Sequence, residues 1–142
     1  MNRLSIIEKA FFLKKTALFC ELDLDLLLAI ADKAEEQSYE PGEVIFSETQ
    51  DAHRLYFIYE GRIAITQHTT PCATVEKQDF FGDEALFAQT AREYAATVIN
   101  AARVITVART HLVQIMLESP TIALTLLRAY ATTTPFRKRS KL

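Results

Sequence analysis

The sequence predicts a mainly β fold, an antiparallel β-roll or jelly roll held between N-terminal helices and C-terminal helices. Three observations carry this. Apolar residues recur at helical spacing over 5–36 and again over 111–132. Between Ser38 and Arg109, short β-branched and aromatic stretches alternate with polar positions at a period of two. Turn residues, among them Pro41-Gly42 and Glu60-Gly61, break that middle into pieces of even length, as antiparallel barrels and rolls require.

The first helix is SIIEKAFFLKK, where Leu4, Ile7 and Phe11 share one face with Ile6, Ala10 and Leu13 beside it. That face is expected to dock. TALFCELD follows as a turn, and a stronger helix is expected from Asp25 to Glu36. Its stripe is Leu26, Leu27, Ile30 and Ala34, and Asp23 or Asp25 can cap it. The Pro-Gly turn of YEPGEVIFSE then opens a strand. HRLYFIYEGRIAITQH is expected as a two-stranded hairpin about Glu60-Gly61, because Leu55, Phe57 and Tyr59 alternate against Tyr56 and Ile58. PCATVE is another short strand, and YAATVIN and ARVITVAR are again alternating and β-branched. Thr110 starts HLVQIMLES, with Leu112, Ile115 and Met116 on one side. Ser119-Pro120 fits an N-cap followed by proline at the first helical position, and the helix it opens lines up Ile122, Leu126 and Ala129. The expected organisation is one domain over 1–134, with helices at 5–36, the roll at 38–109 and helices at 111–132, followed by a basic tail over 135–142.

Composition narrows the function. A chain of 142 residues can bury one sizeable core. Its 49% hydrophobic and 24% charged residues match an ordinary soluble globular protein. The longest apolar run, LLLAIA, is too short to span a bilayer, and Glu8, Lys9, Lys14 and Lys15 interrupt the N-terminal apolar patch, so no signal peptide is expected. The net charge of −2 is uneven: Arg137, Lys138, Arg139 and Lys141 lie in the tail, leaving 12 bases against 18 acids in the body. An acidic body does not attract DNA, and the tail is read as solvated. Cys20 and Cys72 have no metal or redox spacing and are expected as reduced, partly buried thiols in the cytoplasm. His53, His68 and His111 form no ligand pattern, and no nucleophile motif is present, so neither a metal site nor an enzyme is expected. The final Ser140-Lys141-Leu142 matches a peroxisomal address and is read as coincidence.

Five stretches, in this order and spacing, resemble a cyclic nucleotide-binding domain from Leu18 to Ala131. LFCELDLDLLLAIADKAEE resembles the family's entry helix, PGEVIF its first strand and LYFIYEGRIAI its central hairpin. DFFGDEALF is similar to the start of its phosphate-binding cassette, and AATV to the strand that closes it. Gly42, Gly61 and Gly82 fall at family glycine positions. Other family glycines are missing: Thr49 and Ala52 stand in one loop and Gln78-Asp79 in another, and those loops are expected to take other conformations.

The resemblance implies a ligand site made of Gly82, Asp83, Glu84, Ala85, Arg92, Tyr94, Ala95 and Thr97, with cAMP or cGMP as the ligand and no other cofactor. In the family pattern a helix turn at the glycine offers amides to the cyclic phosphate, a glutamate accepts from the ribose hydroxyl, and an arginine closes on the phosphate. Here Asp83 stands for that glutamate, one methylene shorter, and Glu84 adds a second carboxylate that repels an anion. Counted forward from Gly82, the arginine position is Arg92; counted back from AATV, it is Tyr94, so two residues are inserted. Two readings stay open. Either Arg92 covers a phosphate, or Arg92 lies at the surface beside Glu93 or solvent while Tyr94 packs into the pocket. In the second case the phenol can satisfy an amide at the Gly82 turn.

The expected function is a non-enzymatic regulatory or sensor domain that binds cAMP or cGMP at a modified cassette. The alternative is a degenerate domain without cyclic nucleotide that serves as a protein-interaction or dimerisation module, with a homodimer through its helices left open. The family's transcription factors append a helix-turn-helix after the last long helix. This chain ends there, so DNA binding by the chain alone is not expected.

Overall fold

A computed structural model describes residues 3–133. The tail expected over 135–142, with its Ser-Lys-Leu terminus, lies outside the described residues. Helices α1 (Ile6–Lys14) and α2 (Leu24–Lys33) precede strands β1 (Glu35–Tyr39), β2 (Val44–Phe46), β3 (Arg54–Gln67), β4 (Thr70–Val75) and β5 (Phe80–Phe81). Helix α3 (Asp83–Ala88) interrupts the β region, strand β6 (Ala95–Ala108) closes it, and α4 (Arg109–Glu118) and α5 (Thr121–Thr133) follow. The antiparallel sheet runs β1-β6-β3-β4, with β2 also paired to β6 and β5 to β3. A mainly β antiparallel roll with flanking helices is what the hydrophobic periodicity predicted.

Several element-level expectations are corrected. α1 turns a different face inward: Ala10, Phe12 and Leu13 are buried, while Ile7 and Phe11 are exposed. Lys9 Nζ and Lys14 Nζ donate to the carbonyls of Ala34 and Leu22, so the side of α1 that meets α2 carries lysines, which apolar spacing alone discounts. α2 ends at Lys33 rather than Glu36, because Glu35 and Glu36 pair with Thr106 and Ile105 as the start of β1. Asp23 is at the N-cap of α2 but its side chain makes no capping bond. Capping is instead complete at α1, where Ser5 and Glu8 bond reciprocally. The last helix begins at Thr121, one residue beyond the expected proline. Cys20 and Cys72 are free, and both are exposed rather than partly buried.

The largest correction concerns Glu60-Gly61. No hairpin turn occurs there; β3 runs unbroken from Arg54 to Gln67 and pairs along β6, which likewise unites YAATVIN and ARVITVAR in one strand. Gly61 (φ 105) sits in a bulge where the register against β6 shifts. A Cβ there would come within 2.6 Å of the Ala101 carbonyl oxygen and Ala102 Cα. The bulge has a packing consequence. Tyr56 and Ile58 face one cluster before it, and Ile63 and Ile65 face the same cluster after it. One extra residue reverses side-chain parity and so keeps the inward face continuous across the bend. The actual hairpin lies between β3 and β4, where His68 (φ 51) and Thr69 (φ 62) are both left-handed, as in type I′ turns.

Two apolar clusters result. One packs α1, α2, α4 and α5 onto Leu55, Phe57, Ile105 and Val107. The other fills the roll with Phe46, Tyr56, Ile58, Ile63, Phe81, Ala96, Val98 and Val104. The cassette sits where they meet, since Phe81 belongs to the second cluster and Leu86 to the first.

Candidate functional site

The cassette is built on β5, which ends at Phe81 stacked on Tyr56 with ring centroids 5.0 Å apart. Gly82 follows in the left-handed region (φ 82, ψ 11) as the N-cap of α3. A side chain is disfavoured there by the left-handed backbone and by crowding, because a Cβ would meet Arg92 Nη1 and Tyr56 Cδ1, each at 3.0 Å. α3 lasts six residues and ends at Gln89 (φ 58), another left-handed position. The chain then returns beside Thr49–Asp51: the Arg92 amide donates to Gln50 O, and the Thr49 amide to Arg92 O. Arg92 therefore precedes β6 rather than lying on it.

Arg92 is not a surface residue. It is 4% exposed, with Nη1 donating to Gly82 O at 2.6 Å and Nη2 to Arg54 O at 2.8 Å. Its guanidinium carbon lies 4.1 Å from the ring centroid of Phe46. Burial pulls its pKa down, and the neighbouring tyrosines and carboxylates work against that pull. Its Nε is buried without a hydrogen-bond partner among the described residues. A guanidinium fork spread over two carbonyls is a structural clamp that ties β3 to the cassette turn.

Tyr94 points to the same turn. The Gly82 amide donates to its hydroxyl at 2.8 Å, and the hydroxyl donates to Glu84 Oε1 at 2.7 Å. Burial and the nearby Glu84 charge push this phenol well above its ordinary pKa. Asp83 is 6% exposed and accepts from the Tyr130 hydroxyl of α5 at 2.7 Å. Burial, then the Glu84 charge, raises the Asp83 carboxyl from 3.8 to about 6. Tyr130 is pushed up by burial and by the Asp83 charge.

A cavity of about 420 Å³ adjoins this network, lined by Gln67, Glu84, Ala85, Arg92, Glu93 and Tyr94. Of the expected ligand residues, Glu84, Ala85, Arg92 and Tyr94 meet here, Gly82 is bonded to Arg92 and Tyr94, and Asp83 turns away to Tyr130. Ala95 and Thr97 lie beyond the lining on β6, opposite Thr66 and Ala64. Sequence reasoning missed Phe46 beneath the guanidinium, the Arg54 carbonyl and Tyr130. Each comes from a distant element, and no local motif marks it.

The loops that lost family glycines keep glycine-like backbone. Thr49 (φ 72) and Gln78 (φ 75) are left-handed, contrary to the expectation of other conformations. Tertiary bonds hold them: the Thr49 amide to Arg92 O, and the Gln78 amide to Ile58 O. Ala52 shows no positive φ.

A family model for the cyclic nucleotide-binding domain matches residues 36–119, more than half of the chain. A cAMP-dependent protein kinase regulatory subunit of Dictyostelium discoideum is 32% identical over 97 residues, which is 63% of this chain and 29% of that protein. The chain thus spans less than a third of that relative's length. Among solved structures, the N-terminal domain of a transcriptional regulator from Streptomyces coelicolor superposes with a TM-score of 0.78 at 22% identity, covering 91% of this chain and 99% of that one. The regulatory domain of Toxoplasma gondii PKA with cAMP gives 0.75 at 18% identity, covering 86% and 48%. At these identities the two structures speak to the fold. Among the described residues, no single helix is long and apolar enough to cross a membrane; α4 and α5 pass that test only as a pair, bent by 115°.

Proposed function

The chain belongs to the cyclic nucleotide-binding domain family, and we propose that it is a non-catalytic regulatory domain whose cassette is occupied by its own side chains. It acts through protein contacts and takes up neither cAMP nor cGMP at signalling concentrations. One observation carries this reading: both backbone groups of Gly82 are already bonded, the amide to Tyr94 and the carbonyl to Arg92. A cyclic phosphate would have to displace the phenol and pull the guanidinium from two carbonyls. Hydrogen bonds to a charged group are worth about 1.5–3 kcal/mol each, so the displacement consumes much of what a ligand could return. Asp83 and Glu84 at the same turn add repulsion toward any anion. The exposed free thiols Cys20 and Cys72 fit a reducing, cytoplasmic setting.

A second reading keeps the ligand. It is favoured by the unpartnered Arg92 Nε and the adjoining cavity, which together could accept a phosphate if Tyr94 swung aside. Calorimetric titration with cAMP and cGMP separates the two. No binding heat below the millimolar range is expected; micromolar affinity for either nucleotide overturns the self-occupied cassette.

A further inference from the structure

A second hollow, of about 560 Å³, lies between α3, α4 and α5, beside the cassette cavity with which it shares Glu84. Phe87, Met116, Leu126, Leu127 and Tyr130 line it, and Asp83 and Glu84 stand in its wall. Leu127 is 64% exposed, as is Leu124 one helical turn before it, and Leu117 is 78% exposed. Single exposed leucines are ordinary, but an apolar hollow between helices with an exposed leucine in its lining has the form of a helix-docking groove.

Charge decides what fits. The described lining residues include two carboxylates and no base. Glu84 is exposed, with Oε1 accepting from the Tyr94 hydroxyl. Asp83 is buried, and its Oδ2 accepts from the Tyr130 hydroxyl, so the exposed acid of this wall is Glu84. An acidic helix would meet the exposed Glu84 carboxylate, with Asp83 buried behind it. A second copy of this acidic surface would bring the same carboxylates and gain nothing from them.

We propose that this groove docks a basic amphipathic helix of a partner protein. Its leucine-type side chains enter the hollow beside Phe87 and Leu127, and a flanking lysine or arginine pairs with Glu84. The inference rests on the self-occupied cassette, because Glu84, which accepts from Tyr94 there, also stands in this wall.

The test uses the full chain and two labelled synthetic helices, one of leucine and lysine at amphipathic spacing, the other with glutamate for lysine, read by fluorescence anisotropy. The lysine helix is expected to bind and the glutamate helix not. Leu127→Glu should weaken binding at least about tenfold and Glu84→Gln several-fold, with the loss from Glu84→Gln shrinking at high salt. Leu127 is mostly exposed, so that variant is expected to fold, and a thermal melt verifies it. Equal binding of both helices, binding by neither, or indifference to Leu127→Glu overturns the proposal. A wild-type dimer that Leu127→Glu disperses in sedimentation assigns the groove to a second copy instead. A rise in affinity when Arg137→Gln, Lys138→Gln and Arg139→Gln are combined assigns it to the chain's own tail. Nucleotide titration runs separately: cAMP binding sinks the self-occupied cassette, whereas absent helix binding together with absent nucleotide binding sinks this inference alone.

Discussion

Replacing Arg92 by alanine separates a structural clamp from a ligand-binding arginine. The substitution removes two charged hydrogen bonds, to Gly82 O and Arg54 O, and the guanidinium stacked over Phe46. At about 1.5–3 kcal/mol per charged bond, the gross loss is roughly 3–6 kcal/mol. Relief from burying a cation returns part of it, since desolvation of an ion costs several kcal/mol. The buried carbonyls left without their donor take some of that relief away again. The expected net destabilisation is about 3 kcal/mol, or close to ~10 °C in Tm for a chain of this length. Arg92→Lys should fall between wild type and alanine, because one ammonium does not reproduce a planar fork over two carbonyls. Circular dichroism melts with parallel urea titrations measure both variants. A midpoint within about 2 °C of wild type for Arg92→Ala would refute the clamp, the more so if cAMP stabilised wild type and not the variant.

Two further outcomes follow from the same site. Because the Asp83 carboxyl is raised from 3.8 to about 6, its protonated form is favoured in the fold; the stability it contributes is complete below 3.8 and is lost as pH rises through about 6. Wild-type stability should therefore fall by about 3 kcal/mol from this group between roughly pH 4 and 7, at 1.36 kcal/mol per pKa unit. Asp83→Asn, which can still accept from Tyr130, should remove that slope and be about 2 kcal/mol more stable near neutral pH after the lost helix-end interaction of about 0.5–1 kcal/mol is subtracted; urea titrations across this range would disprove the assignment if both proteins showed the same slope. Thr49→Gly should stabilise by about 0.5–1 kcal/mol, because a β-branched residue at φ 72 costs about 1–2 kcal/mol and glycine returns part of that gain as unfolded-chain entropy. A lowered unfolding midpoint would show that the Thr49 side chain contributes more than its backbone costs.

The sequence by itself determined the fold class and the succession of helices, antiparallel roll and helices. Those features rest on short-range chemistry. Helical and alternating periods, the Pro41-Gly42 turn and the phenylalanine pair before Gly82 each act within a few residues, where one sequence is enough to read them. Element ends and faces were less legible. Glu35 and Glu36 continue a helical pattern locally, yet they join β1 because β6 offers a paired edge. Ile7 and Phe11 look like a docking face until α2 packs on the other side of α1. Glu60-Gly61 has the composition of a hairpin turn, and only pairing along the whole of β6 makes it a bulge.

Tertiary structure alone decided how the cassette side chains are bonded. Arg92 and Tyr94 could be aligned to the same family position, and spacing could not say which side chain reaches the turn or what it finds there. The answer depends on partners far along the chain: Arg54 O lies 38 residues from Arg92, and Tyr130 lies 47 residues from Asp83. Hydrogen bonds across such distances leave no period and no motif. Burial sets their strength, and burial follows from the packing of the roll against its helices. For that reason an arginine left open between phosphate contact and surface is a buried clamp, and a tyrosine hydroxyl takes the amide that the family pattern reserves for a phosphate.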